Sequence, residues 1–198
     1  MMKQHHYTGT MPVAIRLIGA WRLQPDKKDR RLRSLAPLFL AACVISVPPT
    51  RWKEPVLELT RLVRVEDDRL PYLSGLIADT VGIIRRQGMA DLIVSYADPS
   101  ENHHGGVYQA CSWQYHGQRK PSITGLDVNG WYVPGRTCND KWGTRSARKL
   151  QALFPEWQIL PHRDTGKHLY WKALNRRGKR KAQRLGLQSK PYPKPNEH

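Results

Sequence analysis

Acidic residues are scarce: 16 Asp and Glu stand against 33 Lys and Arg in 198 residues, a formal charge of +17 with a pI near 10.2. That balance argues against an enzyme built around a small neutral metabolite and for a polyanionic partner. Cysteine is scarce too. Cys43, Cys111 and Cys138 are odd in number, widely spaced and without a C-x-x-C pair. Neither a disulfide framework nor a structural zinc finger is supported, and a reducing cytoplasm fits. Long apolar runs are missing. The longest, residues 35–47, contains Pro37 and falls short of the roughly 20 residues of a membrane span. It lies too far into the chain, between flanks too basic, for a secretory signal. The sequence also lacks G-x-x-x-x-G-K-[ST], G-x-G-x-x-G and G-x-S-x-G. Phosphate-loop, dinucleotide and serine-hydrolase readings lose their main support. No internal repeat is found.

What is present suits one α/β domain with a tail. Residues 13–23 read as a strand closed by Gln24-Pro25-Asp26, followed by a basic arm at 27–33. Residues 35–47 form the next strand or strands, stopped at Pro48-Pro49. Val56 to Val65 is apolar enough to be largely buried, with Glu58 and Arg61 inside it. Ser74 can cap a helix over 75–87, because Leu76, Ile77, Val81 and Ile84 fall at helical spacing before Gly88. Leu92 to Ala97 is then a short central strand, and strand, helix, strand in this order predicts parallel neighbours. A short helix over 107–113 and a strand at 114–117 follow. Residues 118–139 give no clear pattern. Residues 141–154 read as one basic helix, and 157–161 with 168–174 as a closing pair of strands. From Lys172 onward the chain is strongly basic, with Glu197 its only acid. Order there is expected to depend on a partner.

Four places carry titratable groups in settings that can support chemistry. His5-His6-Tyr7 precedes the first strand. Glu58 and Arg61 sit three apart in an apolar strand, so they point to opposite faces. Ser95-Tyr96-Ala97-Asp98 ends a central strand, where a carboxylate can act as base, ligand or simple terminator. Glu101-Asn-His103-His104-Gly-Gly-Val-Tyr108 offers paired glycines that let the backbone approach a ligand. His6, Asp98, His103 and His104 have the donor types of a two-histidine, one-carboxylate metal set, though not the spacing of a compact motif.

These residues occur in an order that resembles a known family. His5-His6-Tyr7-Thr-Gly-Thr-Met-Pro12, Glu58-Leu-Thr-Arg61, Ile93-Val-Ser-Tyr-Ala-Asp98, His103-His104-Gly-Gly-Val-Tyr108, Trp113, Tyr115, Lys167-His-Leu-Tyr170 and Tyr192-Pro-Lys194 together resemble the Mom-type DNA modification enzymes of bacteriophages. The resemblance implies a GNAT-like α/β (α+β) fold, a central mixed twisted sheet flanked by helices, over 1–174, with a basic tail over 175–198. It implies conversion of DNA adenine to N6-carbamoylmethyl-adenine, which protects phage DNA from restriction in the cytoplasm of the bacterial host. Position by position it implies functional roles for His6, Tyr7, Arg61, Ser74, Asp98 and Tyr108. It also leads one to expect more chain ahead of His5. Residues 69–75 lack the loop with which ordinary acetyltransferases cradle a coenzyme pyrophosphate, so a normal acetyl-coenzyme A site is not expected.

Adenine N6 is a weak nucleophile and is paired in duplex DNA, so the base must be exposed, with aromatic rings to hold it. Tyr7, Tyr96, Tyr108 and Trp113 are the candidates. Asp98 is the expected base or hydrogen-bond acceptor, and His6 an acid, base or metal ligand. The product carries a carbon–nitrogen single bond that simple acyl transfer does not make, which leaves an acetyl-coenzyme A-like donor and iron both open as cofactors. Arg136, Lys141, Arg145, Arg148 and Lys149, then Arg176, Arg177, Lys179, Arg180 and Lys181, are the expected phosphate contacts. DNA is the expected partner, with a second copy of the chain also allowed and no membrane. An acetyltransferase acting on a protein or small amine, and a non-catalytic DNA-binding protein, are the competing readings.

Overall fold

The computed structural model describes residues 15–23, 38–48, 52–64 and 72–193. The expectations placed on His5, His6, Tyr7 and the arm at 27–33 lie outside them. In chain order the elements are β1 (Ile15–Leu23), β2 (Leu38–Ser46), β3 (Leu57–Arg64), α1 (Leu73–Arg86), β4 (Leu92–Ala97), a 3-10 turn (Pro99–Glu101), α2 (Gly106–Ala110), β5 (Gln114–Gln118), β6 (Ile123–Val128), β7 (Trp131–Pro134), α3 (Gly135–Trp142), α4 (Ala147–Leu153), β8 (Ile159–Arg163), β9 (His168–Ala173) and α5 (Arg176–Arg184). Two compact units are built from them, and the second takes residues 98–103 and 118–168 out of the middle of the first.

The first unit carries a six-stranded mixed sheet in the order β1-β2-β3-β4-β9-β5. β1, β2 and β3 pair antiparallel, while β3 and β4 run parallel across the α1 connection, as the strand, helix, strand pattern predicts. β4 is mostly apolar on both faces because both are covered. Ile93 and Ala97 join the cluster that holds Leu76, Ile77, Val81 and Ile84 of α1. Leu92 and Val94 join a second cluster with Ala182 of α5. Each of the buried leucine, isoleucine and valine side chains contributes about 1.5–3 kcal/mol.

Local details differ from the sequence reading at four points. The strands expected as a closing pair at 157–161 and 168–174 belong to different sheets, because β8 pairs with β6 in the three-stranded sheet while β9 lies between β4 and β5 in the six-stranded one. α1 starts two residues early: Tyr72 occupies the cap position, its carbonyl takes the Gly75 amide at 2.9 Å, and Ser74 lies inside the first turn without capping it. The single basic helix expected over 141–154 is two helices. Gly143 at φ 66° closes α3 in the left-handed conformation, and the Ser146 hydroxyl accepts the Lys149 amide to start α4. The closing basic segment is ordered over 176–184. Asn175 caps α5 by accepting the Gly178 amide at 2.9 Å, its side-chain amide donates to Asp91 at 2.8 Å, and Lys181 pairs with Asp91 at 2.8 Å. Gly178 is required there, because a Cβ would lie 1.9 Å from the Asp91 carbonyl oxygen.

The second unit contains the sheet β7-β6-β8 and the small core Leu126, Val128, Cys138, Leu150 and Ile159. β6 and β7 form a hairpin whose two turn residues, Asn129 at φ 51° and Gly130 at φ 83°, are both left-handed. All three cysteines are free thiols. Among the described residues no helix is long and apolar enough to cross a membrane.

Candidate functional site

In the first unit, Arg61 lies on β3, and Tyr108 meets β4 where that strand runs beside β3. The pairing of β2 with β3 passes from Arg61 opposite Val44 to Leu59 opposite Ile45, so Thr60 is an extra residue, a bulge. Bulges re-aim the side chains next to them. The face rule for Glu58 and Arg61, three apart, therefore does not hold across Thr60. Arg61 is half-buried, with Nη1 donating to the Thr60 carbonyl at 2.7 Å, and Glu58 is 9% exposed.

Ser95 of β4 is fully buried opposite Leu59. Its Oγ lies 2.8 Å from the Leu59 carbonyl and 2.8 Å from the Tyr108 hydroxyl. With one proton Ser95 serves one acceptor at a time, and the Tyr108 hydroxyl, which both donates and accepts, completes the pair. Tyr108 is fixed from the other side by Trp113 and Tyr170, with ring centroids at 5.3 and 5.2 Å. Tyr108 and Trp113 are core residues, 6% and 0% exposed. Neither presents a face on which a base can stack, which corrects that expectation, and Tyr96 packs partly buried in the second cluster.

The paired glycines have a local cause as well. Gly105 sits at φ 83°, and a Cβ there would lie 2.3 Å from the Tyr170 ring, whose hydroxyl donates to the His104 carbonyl at 2.6 Å. The close approach that Gly105 permits is to Tyr170. Burial pushes the Tyr170 hydroxyl up from its ordinary pKa; Gln109, donating to it at 3.3 Å, only partly opposes this, and it stays protonated at neutral pH. Ser74 joins the same unit through its carbonyl, which accepts the Cys111 thiol at 3.3 Å, and Lys172 donates to the Cys111 carbonyl at 2.7 Å.

In the second unit, Asp98 caps the 3-10 turn. Its Oδ1 accepts the Ser100 amide at 3.2 Å and the Ser100 hydroxyl at 2.6 Å, and its Oδ2 takes Lys167 at 2.8 Å. Burial pushes the carboxyl up, but the bonds from Lys167 and Ser100 and the Lys167 charge outweigh it, and the group ends below its ordinary value. Asp98 is thus a fixed anion and a weak base, better suited to accepting a hydrogen bond than to removing a proton. The amide of His103 donates to the Asp98 carbonyl at 3.1 Å. Among the described residues no three of His, Cys, Asp and Glu converge as metal ligands. His6, the remaining member of the suggested set, lies outside them.

The expected phosphate contacts divide between the units. Arg136, Lys141, Arg145, Arg148 and Lys149 are exposed on or beside α3 and α4 of the second unit, and Arg176, Arg177, Lys179 and Arg180 are exposed on α5 of the first. Lys181 departs from this pattern, because its ammonium is held by Asp91. Sequence reasoning passed over a cleft of about 960 Å³ in the first unit, lined by Trp52, Lys53, Asp91 and Arg177 among others. Its parts come mainly from two loops and from α5, far apart in the chain. It also passed over a cluster on the small sheet, Tyr132, His162 and Asp127, for which the Asn129-Gly130 turn was the readable signal.

A sequence profile described as the Mom protein family matches residues 1–194. No curated protein matches the chain.

Proposed function

The chain belongs to the Mom protein family, and on that premise we propose that it modifies adenine in DNA to N6-carbamoylmethyl-adenine and so shields phage DNA from host restriction enzymes. The observation that carries this reading is the family match across residues 1–194. The excess of cations, with exposed Lys and Arg in both units, suits a DNA partner.

In this reading the target adenine leaves the stack, since N6 is paired within the duplex. Asp98 accepts a hydrogen bond from the exocyclic amine. Each carboxylate oxygen can take two donors, and among the described residues Oδ2 is met by Lys167, which leaves it capacity for the amine. Lys167 keeps Asp98 ionised for that task. Arg61, re-aimed by the bulge at Thr60, supplies positive charge, and the Ser95–Tyr108 pair holds the β3–β4 junction in shape. Ser74 acts through its backbone, and His6 and Tyr7 complete the set from the amino end.

DNA from bacteria expressing the chain should resist restriction enzymes that cut at adenine-containing sites. Asp98→Ala should abolish resistance while the far-ultraviolet circular dichroism of the purified variant stays unchanged. Full resistance in Asp98→Ala would remove that carboxylate from the reaction, and sensitive DNA with the folded wild-type chain would overturn the reading.

A further inference from the structure

The open face of the small sheet carries a built cluster that none of the roles above uses. Cross-strand partners share a face. Opposite Asp127 stand Tyr132 on one side and Leu160 on the other, and opposite Gly125 stand Pro134 and His162. The other face holds Leu126, Val128 and Ile159 in the core. Tyr132 is 49% exposed and Leu160 55% exposed.

Tyr132 does not dangle. Its ring lies over Gly125, where a Cβ would come within 2.6 Å of Cε2, and it packs on the His162 ring with centroids 4.4 Å apart. His162 is oriented in turn by Asp127, whose two oxygens lie 3.0 and 3.1 Å from Nδ1. With Nδ1 committed, Nε2 is the polar atom this ring can offer a ligand. The glycine, the histidine and the carboxylate thus fix a half-exposed aromatic ring in one orientation, with hydrogen-bonding groups beside it.

We propose that this face is a stacking platform for an unpaired nucleobase of single-stranded DNA, such as a strand opened next to the target site. A base has a planar face for Tyr132 and an edge of donors and acceptors for His162 and Asp127. The flanking sugar-phosphate would meet the exposed guanidiniums of Arg136, Arg145 and Arg163 in the same unit. The inference takes its nucleic-acid partner from the reading above, but it does not depend on the modification chemistry.

The test is equilibrium binding of the full chain to a fluorescent single-stranded oligonucleotide and to an abasic oligonucleotide of the same length. The base-bearing strand should bind more tightly. Tyr132→Ala should weaken it roughly tenfold, with unchanged abasic binding, salt dependence and melting temperature, while Tyr132→Trp should retain affinity. Equal affinity of wild type for both strands, or of Tyr132→Ala and wild type for the base-bearing strand, would overturn the platform. Nucleoside analysis of DNA from cells expressing Tyr132→Ala separates the two ideas, since modification can persist when the platform fails.

Discussion

Lys167 decides how Asp98 responds to pH. The folded carboxyl lies below its ordinary value, so its stabilising contribution is present above the unfolded value of about 3.9 and is lost as pH falls through the lowered folded value. Lys167→Met should raise the Asp98 pKa, flatten that acid limb and cost about 1–2 kcal/mol at neutral pH, since the pair is only partly buried. Carboxyl titration by NMR and melting against pH would check both. An unmoved Asp98 pKa would show that the Ser100 bonds alone hold it down. Gly105 is a second residue-scale test. Gly105→Ala places a methyl 2.3 Å from the Tyr170 ring at a φ of 83°, and should cost about 2–4 kcal/mol in thermal melting. A variant as stable as wild type would mean that Tyr170 can move aside.

At the scale of elements, the β6–β7 hairpin isolates the cost of turn conformation. Nothing lies within 4 Å of a Cβ built at Gly130, so Gly130→Ala should cost about 1 kcal/mol through its left-handed φ of 83° alone. A larger loss in denaturant melting would point to packing instead. This turn also shows a signal present in the sequence that the reading of 118–139 passed over. Asn129-Gly130 is a strong hairpin signal, but β7 has only four residues, and Pro134 and Gly135 end it before any alternation appears. The strand, helix, strand core was readable because β3, α1 and β4 bury apolar residues at regular spacing. The break at Gly143 was masked by the basic residues on both sides of it. α5 was read as partner-dependent because of its charge, yet Asn175, Gly178 and Ala182 tie it to the first unit.

At the scale of the whole molecule, charge is the dominant fact. If α5 meets phosphates, replacing Arg176, Lys179 and Arg180 with Glu should weaken DNA binding and lower the slope of log affinity against log salt by about one per lost contact, with little change in melting temperature. An unchanged slope would place the phosphate contacts on α3 and α4. The division into two units was not readable, because the second draws on 98–103 and 118–168 and its strands pair over long separations. Of the candidate site, the family-like residues Arg61, Asp98 and Tyr108 can be named from the sequence. Their settings were not, since a bulge, a lysine 69 residues further along and a buried aromatic cluster define them.

The central claim is chemical, and the most direct measurement is mass spectrometry of nucleosides from DNA of bacteria expressing the chain, beside Asp98→Ala. The account predicts a deoxyadenosine heavier by a carbamoylmethyl group less the one hydrogen it replaces on N6, present with the wild type and absent with the variant. Unmodified deoxyadenosine from cells that hold the folded wild-type protein would contradict it.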